Sequence, residues 1–252
     1  MKLICKGGLF IELRWNLDNL YPSFTSDKFK DDYASLEEQI AGFNSWVQAN
    51  LTDQEEARPK LISLLEKLVS LRETSRLLGS YAHLRLSTDV KNEEALGWVE
   101  KLERKSTEIT KSIVRLQQWL GEIPDLAELL SEDEQLEQFT FVLQEWVKDS
   151  KYLLGDEEEE LIARMKQTGS RSWAKLQQNL TSTLLVDIEV AGERKQLPLS
   201  VVRNMAYDED SGVRKKAYEA ELASYRKIEA PVAAALNGIK GEVLTITERK
   251  GY

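Results

Sequence analysis

At 252 residues with 42% hydrophobic content, the chain has room for one large domain or two and enough apolar material for a proper core. Its 34 basic and 43 acidic residues give a formal charge of -9 with no basic stripe, so nucleic acid and anionic membrane, which need clustered Lys and Arg, are excluded as partners. The only cysteine, Cys5, excludes an intrachain disulfide and a thiolate zinc site, and fits a reducing compartment.

The opening MKLICKGGLFIELRW has one apolar patch, broken by Gly7-Gly8 and followed by Arg14, too short for a signal sequence. No later run approaches the roughly 18 to 20 apolar residues of a membrane span, so a soluble, cytoplasmic protein is expected. Asp18-Asn19 and Pro22-Ser23 read as turns around anchoring aromatics. Ser26 can cap a helix whose buried stripe is Phe29, Tyr33, Leu36, Ile40, Phe43 and Val47. A second helix starts at Thr52 or Asp53, tolerates Pro59 only near its first turn, and shows the face Leu61, Leu65, Leu68, Leu71, Ser75 and Leu78 before continuing past Gly79 to Leu86. One long helix is expected from about Glu93 to Leu120, ended by Gly121 and Pro124.

Ser131 to Glu134 reads as a capping box that opens a helix with Leu136, Phe139, Leu143 and Trp146 inward. Short amphipathic helices follow at Glu157 to Gln167 and Ser172 to Leu180, separated by Gly169. The period changes only at Thr183 to Val190 and Arg194 to Leu199, which flank Ala191-Gly192-Glu193 as a hairpin. Leu199 to Tyr207 returns to helix, and Asp208 can cap the last one. The expected class is therefore all-α, a multi-helix lobe with one small β-hairpin (about Thr183 to Leu199).

The final stretch, Asp208 to Tyr252, has apolar residues at helical spacing through Ile228, Val232, Ala235, Ile239, Val243 and Ile246. Pro231 in a helix interior would cost about 3 kcal/mol, Gly238 and Gly241 about 1 kcal/mol each, and Asn237 would need partners if buried. Ala233 to Ala235 with Gly238 and Gly241 would let another backbone, or a bound peptide, come close. At Gly251-Tyr252 the helical pattern is still running with no polar tail or capping signal, which reads as a chain cut short.

None of the chemistry-bearing residues forms an active site. His83 is the only histidine, so no H-E-x-x-H helix exists, and a surface or structural role is expected. Asp156 to Glu160 are explained by a helix start, with Asp156 as its N-cap. Asp208, Asp210 and Glu219 hold the first, third and twelfth positions of a calcium loop, but Val213 stands where that loop needs glycine, so helix capping is the better reading. Cys5 has no activating neighbour, and Trp46, Trp98, Trp119, Trp146 and Trp173 sit where packing explains them.

Several segments nevertheless carry a family likeness. Arg14-Trp15-Asn16-Leu17-Asp18-Asn19-Leu20-Tyr21-Pro22, Tyr81-Ala82-His83-Leu84 with Ser87-Thr88-Asp89, Lys151 to Leu154 with Glu159, Thr168-Gly169, Trp173 and Leu176, and Leu236-Asn237-Gly238-Ile239-Lys240-Gly241-Glu242 occur in order along the chain. Together they resemble oligoendopeptidase F, zinc metallopeptidases of the thimet-oligopeptidase-like family. The resemblance implies residues 1-200 as the N-terminal helical domain and 201-252 as the beginning of a truncated catalytic domain. It implies short peptides as substrates of the full-length enzyme, a missing C-terminal catalytic portion as partner, and zinc as the cofactor of the whole but none in this chain. Asn237, Gly238, Lys240, Gly241 and Glu242 would form a lobe-packing or channel-lining face. A stand-alone helical module binding a partner helix or peptide is the alternative.

Overall fold

The computed structural model describes residues 16–252, together with the backbone of Lys2–Ile4 and Phe10–Glu12. Cys5, Arg14 and Trp15, on which a redox expectation and the start of the family-like opening rest, lie outside the described residues. The chain divides into two compact units, residues 1–160 and 161–252. That division is one of packing, whereas the expected boundary near residue 200 is one of family domains.

In the first unit β1 (Lys2–Ile4) pairs antiparallel with β2 (Phe10–Glu12), where the sequence shows only an apolar patch. Strands of three residues are too short to display a period of two. Helix α1 (Asp27–Asn50) packs on α2 (Ala57–Thr88), and all six expected stripe residues of α1 are buried. Pro59 is the third residue of α2, where its missing N–H is among the donors that a helix start leaves unpaired. Tyr21, Phe24, Phe29 and Tyr81 form edge-to-face pairs, Trp98 stacks on Phe24 and meets Phe29 edge to face, and centroid separations of 4.8 to 6.0 Å fall in the favourable range. Tyr21 donates to Asp32 at 2.7 Å, and burial, with that carboxylate's help, pushes its hydroxyl well above the ordinary tyrosine pKa.

The expected single helix from Glu93 to Leu120 is two, α3 (Glu93–Thr107) and α4 (Thr110–Glu122). Ser106 and Thr107 turn their hydroxyls onto the carbonyls of Glu103 and Arg104, and Glu108 N–H bonds Lys105 in a tightened turn that ends α3. The Ser131 capping box is also overturned. Ser131 ends α5 (Leu126–Ser131), its hydroxyl spent on the Glu128 carbonyl, while Asp133 caps α6 (Glu134–Glu137) by accepting from Gln135 N–H at 2.9 Å. Phe139 then precedes α7 (Thr140–Ser150), which buries Leu143 as expected.

Helix α8 (Asp156–Thr168) carries the chain from one unit to the next. The second unit holds α9 (Ser170–Ser182), the hairpin of β3 (Leu185–Val190) and β4 (Glu193–Pro198), α10 (Leu199–Asn204), α11 (Ser211–Tyr225) and α12 (Glu229–Lys250). Its core gathers Leu184, Val186, Ile188, Leu199, Val202 and Ala217, so β3 shows alternate residues to the helices and to solvent. Lys227 ties the end of α11 to the hairpin through Leu185 O at 2.8 Å and Asp187 at 2.7 Å. No helix among the described residues is long and apolar enough to cross a membrane.

Val190 pairs with Glu193 across a two-residue turn in which Ala191 (φ 55°) and Gly192 (φ 83°) are both left-handed. Such a turn matches the twist of the flanking strands, but alanine resists the conformation. We predict that Ala191→Asn stabilises the chain by about 1 kcal/mol in urea denaturation; no gain, or a loss, would contradict the turn.

Candidate functional site: the α9–α12 seam and its open side

The final stretch breaks fewer local rules than its sequence implies. Asp210, not Asp208, caps α11, accepting from Gly212 N–H at 2.7 Å. The chain then breaks at 226–228, which puts Pro231 third in α12, so the expected interior cost does not arise. Asn237 is exposed and its amide needs no buried partner. Gly251, at φ 80°, closes α12 by donating to Thr247 O at 2.9 Å. The capping signal missed at Gly251-Tyr252 is that glycine, since a glycine just past the last helical residue is the usual left-handed cap.

Two residues of the family-like segment 236–242 join α12 to α9. At Gly238 the indole of Trp173 lies against the helix backbone, and an added β-carbon would fall 2.7 Å from Cδ1 and 2.8 Å from Cε2. One turn on, Glu242 accepts from Ser170 N–H at 2.8 Å and Ser170 Oγ at 2.7 Å. The residue before α9 is Gly169, which offers no side-chain cap, so Glu242 serves as that cap and places its negative charge at the positive end of the helix. Gly169 is needed as well, since a β-carbon there would stand 2.5 Å from Glu242 Oε2. Bare backbone at 169 and 238 thus lets the two helices approach.

The five candidate residues therefore divide. Gly238 and Glu242 face α9, while Asn237, Lys240 and Gly241 are exposed, with open space where a Gly241 β-carbon would go. Leu236 (53% exposed), Val243 (46%) and Leu244 (68%) lie on α12 beside them. Ile239 and Ile246 are only partly covered.

Along the first half of α12 runs an open groove of about 680 Å³, walled by Leu222, Val232, Ala233 and Leu236 and bordered by Gln177 and Thr181 of α9. At its edge Arg203 donates to Glu221 at 2.8 Å and to the Tyr225 hydroxyl at 2.6 Å, and Tyr225 donates to Glu221. The Tyr225 hydrogen bond, with the guanidinium, holds the Glu221 carboxyl below its ordinary value against the opposing effect of burial. Burial, then Glu221, pushes Tyr225 up. These three are scattered through the sequence, which gives no sign of them.

Elsewhere the bland readings fit the structure. His83 is exposed on α2. Asp156 is the first residue of α8 rather than its cap; Glu159 reaches back to Leu154 N–H at 2.9 Å, Glu158 to Gly155 N–H at 3.2 Å, and Lys111 bridges Glu157 and Glu160. From Ser211 onward the would-be calcium loop is helix. Among the described residues no group of three or more His, Cys, Asp or Glu could hold a metal.

The fold is an all-α lobe like that of oligoendopeptidase F, and the chain resembles the N-terminal portion of such proteins. The family model described as Oligopeptidase F matches residues 122–184, a span that includes α9 and Trp173. Over 228 residues the chain is 22% identical to Oligopeptidase PepF of Bacillus subtilis (strain 168), covering 89% of this chain and 33% of that protein. The crystal structure of oligoendopeptidase-F from Enterococcus faecium aligns with a TM-score of 0.69 at 18% identity, over 90% of this chain and 45% of that one, which shows a shared fold. The chain thus spans a third of one relative's length and less than half of the other's.

Two outcomes test the seam and a third tests the trio at the groove edge. Gly238→Ala must displace the Trp173 ring, and overpacking of about 1–3 kcal/mol outweighs the helix-propensity gain of about 1 kcal/mol, whereas Gly241→Ala collects that gain unopposed. Opposite signs in urea denaturation are expected; equal shifts would contradict the packing. Glu242→Ala should cost about 1–2 kcal/mol, read in the same way. Because Glu221 is held low, its contribution is present above the unfolded carboxylate pKa near ~4 and is lost as pH falls through the lower folded value. Glu221→Gln should therefore flatten the acid limb of the stability profile, and an unchanged limb would show that the trio contributes nothing.

Proposed function

We propose that the chain is the non-catalytic N-terminal lobe of a zinc-dependent oligoendopeptidase that hydrolyses short peptides in the cytoplasm. In this reading residues 1-200 are the family's helical domain and 201-252 begin the catalytic one. The remaining portion of the enzyme supplies the H-E-x-x-H helix and its zinc, and the chain alone is inactive. Its contribution is steric: the 680 Å³ groove and the exposed side of α12, with Asn237, Lys240 and Gly241, form part of a channel wall that only unfolded short peptides can enter.

The observation that carries this reading is the seam itself. The segment 236–242 meets Gly169, Ser170 and Trp173, so two stretches matching the family motifs are in contact while the outer side of α12 keeps apolar residues in water. Exposed Leu236, Val243 and Leu244 equally favour a second reading, a free-standing module that binds a partner helix through this face.

The test compares the purified 252-residue chain with the product of a longer reading frame for zinc content and cleavage of a quenched peptide. Activity and stoichiometric zinc only in the longer product are expected. Zinc-dependent turnover by the 252-residue chain would overturn both readings, and a longer frame without H-E-x-x-H would leave the binding module. Both readings also predict concentration-dependent association of the isolated chain in sedimentation, against which a clean monomer that binds no apolar dye would count.

A further inference from the structure

A second open groove lies wholly within residues 1–160 and depends on nothing in the peptidase reading. It encloses about 470 Å³ between α2 and the α6–α7 corner. Leu65 and Leu136 form its buried floor, and Ile62, Val69 and Phe139 add partly covered apolar walls. Val69, a large apolar residue 39% exposed at mid-groove, is left facing solvent.

The rim has one sign of charge. Glu66 and Glu73, two turns and about 10 Å apart on α2, are the only ionisable groups lining the groove. Both are exposed, and neither has a cationic partner among the described residues. Gln135 and Gln138 on the opposite wall offer amide donors and acceptors. Lysine and arginine are plentiful on the chain, and many are tied to carboxylates, yet none lines this groove. An apolar trough beneath two unpaired carboxylates is complementary to a ligand with an apolar stripe and flanking cations, and the reach between the acids matches two turns of a helix.

We infer that this groove is a docking surface for a cationic amphipathic helix of a partner protein. Apolar side chains of the ligand, one turn apart, fill the trough against Val69 and Phe139, and two basic residues two turns apart pair with Glu66 and Glu73.

The probe is a fluorescein-labelled synthetic helix of about 14 residues, with two leucines one turn apart between lysines two turns apart, titrated against the full chain by anisotropy. A peptide with every lysine replaced by glutamate is the comparison. Expected are saturable binding of the cationic peptide that weakens with added salt, none of the acidic one, and affinity at least about tenfold lower for E66K/E73K. Because a chain of charge -9 attracts any cation, E209K/E248K makes the same net change at exposed residues elsewhere and should alter affinity less than about twofold. Val69→Asp, which puts a charge at mid-groove, should also abolish binding even though it adds negative charge. Equal weakening by both double variants, binding unaffected by Val69→Asp, or equal binding of the two peptides would each overturn the assignment; circular dichroism establishes that every variant is folded.

Discussion

Helix α9 begins with a glycine before it and no polar side chain of its own to receive its first backbone donors. The carboxylate that does so, Glu242, lies 72 residues further along the chain. A helix start that stays unpaired loses stability, and a carboxylate there gains both a charge-assisted hydrogen bond and a favourable dipole, so α9 and α12 are bound by a polar need as well as by packing. The two helices meet where residues 169 and 238 have no β-carbon: one at 238 would fall on the Trp173 ring, and one at 169 on the Glu242 carboxylate. Two glycines, one tryptophan and one glutamate therefore make the contact between α9 and α12, the two helices that also border the 680 Å³ groove.

The opposite side of α12 has no such duties. Gly241, three residues from Gly238, meets nothing, and Asn237 and Lys240 turn to water. Within a single helix the inward residues are explained by contacts inside residues 161–252, while the outward ones are not. This asymmetry separates structural residues from those available to a ligand or a partner surface.

Much of this fold is legible in the sequence because it rests on periodicity. The stripe from Phe29 to Val47, the placement of Pro59 and the Ala191-Gly192 turn each depend on local spacing. Where expectation and structure part, a side chain has two choices open to it. Ser106 and Thr107 could have continued a helix but bond backward and stop it, and Ser131 could have capped a helix but finishes one. Of the candidate site, the residue types in 236–242 were visible, but their division into inward and outward sets was not. That division depends on Trp173 and Ser170, which no local pattern links to α12, just as none links Arg203 to Glu221 and Tyr225.

A cap supplied from so far downstream also bears on the order of events during synthesis. When α9 leaves the ribosome, the residue that completes its first turn has not yet been translated. At about 5–20 residues per second the delay is roughly 4–15 s. Through that interval the indole of Trp173 has no glycine to rest on, and the start of α9 is open to fraying or to a chaperone. The second unit can reach its finished form only when α12 arrives and binds α9, so a later helix locks an earlier one.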